Sequence, residues 1–262
     1  MTNTDAYKRW SYVPNKMLPE TLSPGPAAEF EDIFAAILAE KNRASKHAPS
    51  AVGDFLAWNT KGKKPPLFWC FNSWAEPFLL ANHLDENQPL YAMGSFSGIT
   101  NKWGLKTRFN EPLAKRYIES VRQVKGASSF LIGGNCQGAP IAESMAIQMM
   151  DDAGVSPYLL SIDYIGKRTY RGQRFMLFGR ESGFNPFLST RNPIEFWSER
   201  NSQYSWDFLE GKHGTYFLEP NVQKLAEFIS EKSREATPPQ RNPFRALWDR
   251  FRLRFVQPSQ LH

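Results

Sequence analysis

The fold class this sequence predicts is α/β, a mostly parallel sheet with helices on both faces. Two observations predict it. From residue 54 onward, short apolar runs alternate with segments of helical periodicity, the order that places strands in parallel and helices across them. One of those runs, Phe130-Leu131-Ile132-Gly133, leads directly into Gly134-Asn135-Cys136-Gln137-Gly138, which has the form of a sharp strand-to-helix turn displaying a nucleophile, here a thiol.

Residues 1–52 form a lead-in: an irregular Pro-containing stretch, then a helix predicted from Glu29 to Asn42 with Phe30, Ile33, Phe34, Ile37 and Leu38 on one face. The main domain, 53–235, opens at Asp54-Phe55-Leu56-Ala57-Trp58, turns through Pro65-Pro66 and enters the strand Leu67-Phe68-Trp69-Cys70-Phe71. Gln88 to Met93 reads as a strand and Pro112 to Val124 as an amphipathic helix with Leu113, Tyr117, Ile118, Val121 and Val124 inward. Phe130 to Gly133 is the strand before the turn. The run from Ala139 to Ile147 is a mostly buried helix that tolerates Pro140 in its first turn, where backbone N–H groups have no helical partner. Tyr158 to Ile165 and Arg174 to Gly179 are further strands, and Asn221 to Lys232 closes the domain as a helix with Val222, Leu225, Phe228 and Ile229 on its apolar face. In the tail, 236–262, Phe244, Leu247, Trp248, Phe251 and Phe255 recur at helical spacing among arginines, the pattern of a short basic amphipathic helix.

The chain has 262 residues, 41% of them hydrophobic, enough for one sizeable core. No apolar run approaches the ~20 residues that span a bilayer, and the first 19 residues lack the apolar region of a signal peptide, so a cytoplasmic location is expected. Cys70 and Cys136 are the two cysteines, too few for a disulfide framework and in keeping with a reducing compartment. A net charge of +6 favours acidic partners. Zinc-finger spacing, a glycine-rich phosphate loop and a basic-aromatic RNA-binding signature are all missing from the sequence, so neither a metal nor nucleic acid is expected.

Cys136 is the candidate nucleophile. Gly134 and Gly138 supply the small neighbours that a strained turn requires, and the following helix aims its N-terminus at the sulfur, where free amides favour a thiolate and later an oxyanion. Burial as an inert core thiol is the alternative reading. A thiol nucleophile benefits from a histidine base. His262 is terminal, His47 belongs to the lead-in and His83 falls in a helical stretch. His213, in Gly211-Lys212-His213-Gly214 before the last helix, sits where the order nucleophile, acid, histidine places the base. Asp163, at the end of the apolar strand Leu159-Leu160-Ser161-Ile162, is the candidate acid, with Glu181 after the later strand as its rival.

Taken together these pieces resemble the thioesterase domains and stand-alone type II thioesterases of nonribosomal peptide and polyketide synthesis, of the α/β-hydrolase fold. The resemblance runs from about Ala57 to Ile229. Gly62-Lys63-Lys64-Pro65-Pro66-Leu67-Phe68 is similar to the family's lead into its first core strand, and Tyr117-Ile118-Glu119-Ser120-Val121 to the helix before the turn. Ser161-Ile162-Asp163, ending 27 positions after Cys136, resembles the family's strand ending in the acid, and Gly211-Lys212-His213 through Glu219-Pro220 its histidine segment. The resemblance implies an oxyanion hole built from the N–H of Gln137 and one from Ser73 or Trp74. It also implies no bound cofactor, and a substrate carried on the phosphopantetheine of an acyl or peptidyl carrier protein, whose surface is typically acidic.

Two departures stand out. Most family members carry serine where this chain has Cys136, so an acyl-enzyme here would itself be a thioester and stay activated for transfer. The aminoacyl shuttle transferases that move residues between carriers share that cysteine. About ten residues part Asp163 from the next strand at Gln173, where the family inserts a helical lid, so the lid is expected to be reduced or absent. Three alternatives to a thioesterase stay open: a shuttle transferase, a small-molecule hydrolase of the dienelactone type with Glu181 as acid, and a catalytically silent carrier-binding module.

Overall fold

The computed structural model describes residues 22–100, 102–124, 129–153, 155–189 and 192–236. The amphipathic helix expected in the tail lies outside the described residues. Helix α1 (Pro26–Ser45) begins with proline in its first turn, and its Ile33, Phe34, Ala36 and Ile37 are buried. Strands β1 (Ser50–Val52) and β2 (Phe55–Trp58) form an antiparallel pair, followed by β3 (Leu67–Phe71), helix α2 (Glu76–Ala81) and β4 (Leu90–Gly94). Helix α3 (Trp103–Val121), β5 (Leu131–Asn135), α4 (Ala139–Ala153) and β6 (Tyr158–Ile162) come next. The chain ends its described part with β7 (Tyr170–Gly179), a short 3₁₀ turn (Pro186–Leu188), α5 (Pro193–Ser198), β8 (Asn201–Leu209) and α6 (Asn221–Ala236).

Among the described residues the strands form one eight-stranded sheet in the order β1-β2-β4-β3-β5-β6-β7-β8. β1–β2 and β2–β4 are antiparallel and the remaining pairs parallel. Alternation of side chains along each strand sends residues to opposite faces, and β3 shows the result. Its Phe68 and Cys70 join a core with α1, α3 and α4, while Leu67, Trp69 and Phe71 join a second core with α2 and α6. The lead-in helix is therefore part of the main core, where the ring of Phe34 meets Tyr117 of α3 edge-on.

Several boundaries differ from the sequence reading for identifiable reasons. Helix α3 begins nine residues before Pro112, which lies inside the helix rather than at its start. Strand β6 stops at Ile162 because Asp163 takes φ 52°, a left-handed conformation that ends an extended run. β8 and α5, which the apolar periodicity does not reveal, extend the sheet beyond β7 and cap its end with an aromatic cluster around Trp197, Phe187 and Trp206. No helix intervenes between β6 and β7, so the connection 163–169 is short and carries no helical lid.

A buried ion pair holds that connection. Arg174 Nη2 of β7 lies 2.7 Å from Glu143 Oε1 of α4, with side chains 1% and 3% exposed, and Tyr164 donates its hydroxyl to Glu143 Oε2 at 2.7 Å. Burial first, and then the Glu143 charge, push the Tyr164 phenol above its ordinary range and keep it a donor. Removing one partner of a buried pair strands the other charge, so Arg174→Met is expected to cost about 3–5 kcal/mol in urea unfolding. Glu143→Gln, which turns an NH₂ toward one of the two donors and strands the Arg174 charge, is expected to cost a similar amount.

Candidate active site

The parallel pairing of β3 with β5, and of β5 with β6, places the loops after all three strands at one end of the sheet. At the tip of β5, Cys136 adopts φ 47° and donates its backbone N–H to Ile162 O at 3.0 Å. A non-glycine residue in this region is strained, and here the strain turns the side chain out of the sheet. Gly134 and Gly138 permit the turn by contact: a Cβ on Gly134 would sit 2.5 Å from the Gly138 carbonyl carbon, and one on Gly138 would sit 2.1 Å from Cys70 O. Both approaches are against backbone, so Gly138→Ala is expected to prevent the turn from closing. Thermal unfolding should show a drop of many degrees, whereas Gly104→Ala, which meets open space, should show little change.

His213 lies in the loop between β8 and α6, with Nδ1 2.7 Å from Asp163 Oδ2, and its ring is within electrostatic reach of Cys136. With Nδ1 given to the carboxylate, Nε2 is the nitrogen left for the sulfur. The hydrogen bond to Asp163, and then the neighbouring Cys136 sulfur, raise the imidazole to about 10. Asp163 is fully buried at its side chain, while that of His213 is 39% exposed. Burial alone would raise the Asp163 carboxyl, but four donors outweigh it and hold it below the usual carboxylate range. They are His213, the hydroxyls of Tyr216 and Ser182, the latter at 2.7 Å, and the N–H of Gly179 at 3.2 Å. Tyr216 and Ser182 were not singled out from the sequence. For Tyr216 the one local signal is its place three residues after His213; Ser182 has none.

The rival acid does not reach the histidine. Glu181 is exposed, its backbone N–H goes to Gly211 O at 3.1 Å, and the imidazole is bonded to Asp163 instead. His83 lies just beyond α2 rather than inside it, bonded to Leu79 O and Glu219, and His47 is exposed in the lead-in. His262 lies outside the described residues.

The loop after β3 corrects one detail of the expected oxyanion hole. The N–H of Ser73 is directed at Glu76 Oε2, 3.4 Å away, and is committed within the protein. The backbone N–H groups of Trp74 and Gln137 have no partner among the described residues, which leaves these two as the available donors. The Trp74 ring packs over Gly94 beside Ile37. Lys106 of α3 is half-buried and within electrostatic reach of Cys136; burial lowers its amine. Phe184 packs its ring on His213 with centroids 4.7 Å apart. No group of three or more metal-ligating side chains occurs among the described residues, and no helix among them is long and apolar enough to cross a membrane.

Solved structures share this architecture. The NocB thioesterase domain, in covalent complex with a fluorophosphonate nocardicin G analog, superposes with a TM-score of 0.54 at 18% identity, over 68% of this chain and 98% of that one. The chain shares the fold of that domain. The Vlm2 thioesterase domain with genetically encoded 2,3-diaminopropionic acid, bound with a dodecadepsipeptide, shares that fold at a TM-score of 0.51 and 12% identity, over 72% of this chain and all of that one. No family model and no curated protein matches the sequence. On this fold, Cys136 lies at the end of β5, His213 in the β8–α6 loop and Asp163 at the end of β6.

Proposed function

We propose that this chain is an acyl-transfer enzyme. It takes an acyl, aminoacyl or peptidyl group from the phosphopantetheine thioester of a carrier protein onto Cys136, and then releases it to water or an acceptor in natural-product biosynthesis. The observation that carries this reading is the hydrogen-bonded pair His213 and Asp163 within electrostatic reach of Cys136 at the end of the sheet, beside a turn whose Gln137 amide has no partner among the described residues. In the first half-reaction the Cys136 thiolate attacks the thioester carbonyl, and the amides of Gln137 and Trp74 receive the developing oxyanion. The new sulfur–carbon bond replaces the old one, and the His213 imidazolium gives its proton to the departing pantetheine thiol. Asp163 keeps the ring oriented and offsets its charge. In the second half-reaction neutral His213 takes a proton from the acceptor, which attacks the acyl-cysteine and releases the Cys136 thiolate.

Because the intermediate is again a thioester, the first exchange is nearly isoenergetic and the acyl group stays activated. The short connection after β6 leaves that intermediate without a helical lid, which favours transfer to a second carrier or an amine over hydrolysis. The net charge of +6 suits an acidic carrier surface. No resident cofactor enters this scheme.

Intact-protein mass after brief incubation with a panel of acyl and aminoacyl phosphopantetheinyl carriers tests the proposal. The expected result is an adduct that requires Cys136 and leaves when a second carrier or amine is added. Rapid release of free acid without a lasting adduct would mean a hydrolytic thioesterase. No acylation or turnover with any member of the panel, in a folded protein that still binds carriers, would overturn the enzymatic reading.

A further inference from the structure

Hydrogen-bonded to the residue before the nucleophile is an acidic group that the triad does not use. Glu76, in the first turn of α2, is buried, and its carboxylate accepts the N–H of Asn72 at 2.9 Å and that of Ser73 at 3.4 Å. Asn135, the residue before Cys136, donates Nδ2 to both carboxylate oxygens at 3.3 Å. The same asparagine accepts from Trp69 Nε1 at 3.1 Å through its side chain and from Asn72 Nδ2 at 2.9 Å through its backbone carbonyl. Ser95, at the end of β4, closes the network by donating to Asn72 Oδ1 at 2.8 Å. One carboxylate thus ties together the loop after β3 and the residue preceding the nucleophile.

We propose that Glu76 is a positioning residue for the oxyanion hole, and that its ionised carboxylate holds the loop after β3 so that the Trp74 amide, rather than that of Ser73, faces the reacting carbonyl. The inference rests on the acyl-transfer reading above. Its physical basis is that every hydrogen-bonding group facing the carboxylate is a donor: two backbone amides and one side-chain amide. A protonated Glu76 would bring an O–H into a ring of donors with no acceptor to receive it, so the network exists in its complete form with the anion. Burial raises the Glu76 carboxyl to about 7, with the amides of Asn72, Asn135 and Ser73 and the His213 charge acting in the opposite direction. Among the described residues the other titratable group acting across this space is Cys70 of β3, which burial keeps a neutral thiol.

The sign of the linkage separates the loop's function from its stability. A carboxyl whose folded value lies above its ordinary value of 4.5 contributes stability that is complete below 4.5 and lost as pH rises through about 7. Acyl transfer should follow the opposite course and rise through the same range as the brace ionises. A purely structural role for Glu76 gives no such crossing.

The test compares wild type with Glu76→Gln and Glu76→Asp between pH 5.5 and 9. Acylation of Cys136 by octanoyl- and acetyl-pantetheine is followed by intact mass, and alkylation by iodoacetamide is followed alongside. Alkylation reads the sulfur alone, because it forms no oxyanion. In Glu76→Gln the amide NH₂ turns a donor toward Asn135 or Asn72, so acylation is expected to fall about 10²-fold, the usual cost of losing one oxyanion donor. Its limb near pH 7 should disappear, alkylation should stay within a few-fold of wild type, and Glu76→Asp should recover part of the acylation rate. The pH dependence of thermal unfolding should flatten in Glu76→Gln. Acylation unchanged in Glu76→Gln, or acylation and alkylation falling together, would overturn the inference. Wild type that acylates with neither thioester would overturn the acyl-transfer reading and this one with it.

Discussion

Cys136→Gly should abolish thioester turnover while making the protein more stable. The loss is the larger effect: removing the nucleophile of a triad costs at least ~10⁴-fold in kcat, because the remaining groups act as a unit. The gain follows from φ 47° at this position. A side chain in the left-handed region costs about 1–2 kcal/mol. Glycine adopts it freely but gives back roughly 0.5–1 kcal/mol in unfolded-chain entropy. A net gain of up to ~1 kcal/mol corresponds to a rise of about 2 °C for a domain of this size. Cys136→Ala is the control, losing the same activity and keeping the strain. Calorimetry that finds the glycine variant no more stable than the alanine variant would remove strain from the account of the turn.

Asp163→Asn should produce the second largest loss, about 10³–10⁴-fold in kcat, with a diagnostic change in the imidazole. In the wild type the carboxylate is the main cause of the rise of His213 to about 10, so the ring stays protonated across neutral pH. The amide removes that cause, and ¹⁵N NMR should show His213 titrating well below its wild-type value. The linkage has a definite sign. A raised histidine contributes stability that is complete below 6.5 and lost as pH rises through about 10, so wild-type stability should decline over that span and the variant should lose this part of the decline. Partial exposure of the ring at 39% screens the pair and keeps the effect small. Glu181→Gln is expected to leave both turnover and the imidazole unchanged. The reverse pattern, with Glu181 essential and Asp163 dispensable, would assign the acid to β7.

What could be read from the sequence, and what could not, divides along physical lines. The turn at Cys136 was legible because its requirements are local: an apolar strand, small residues at 134 and 138, and a helix after them. Asp163 and His213 followed from order along the chain. Strand β8 was not legible because it lies at the sheet edge and its alternation is diluted by Ser202, Gln203 and Ser205, which face solvent or lie beside it. Helix α3 was started late because proline usually marks a first turn, and here it does not. Ser182 and Tyr216 converge on Asp163 from 19 and 53 positions away, and Glu76 reaches Asn135 from 59, so the spacing along the chain does not announce these contacts. Glu76 did leave one trace, a carboxylate inside the apolar stretch Trp74-Ala75-Glu76-Pro77-Phe78-Leu79-Leu80.

The buried pair of Glu143 and Arg174 has a consequence for how the molecule ages. Glu143 belongs to the helix that starts at the nucleophile's turn, Arg174 to the strand beside the acid, and Tyr164 follows Asp163 directly. Opening any one of these segments exposes an unpaired charge, so none opens alone at low cost, and hydrogen exchange across them should report one shared free energy. Sulfur and acid then lose their arrangement in the same event as the core. A heated or stored sample would hold fully competent molecules and unfolded ones with few in between, and acylation of Cys136, which needs the assembled site, would double as a census of the folded population.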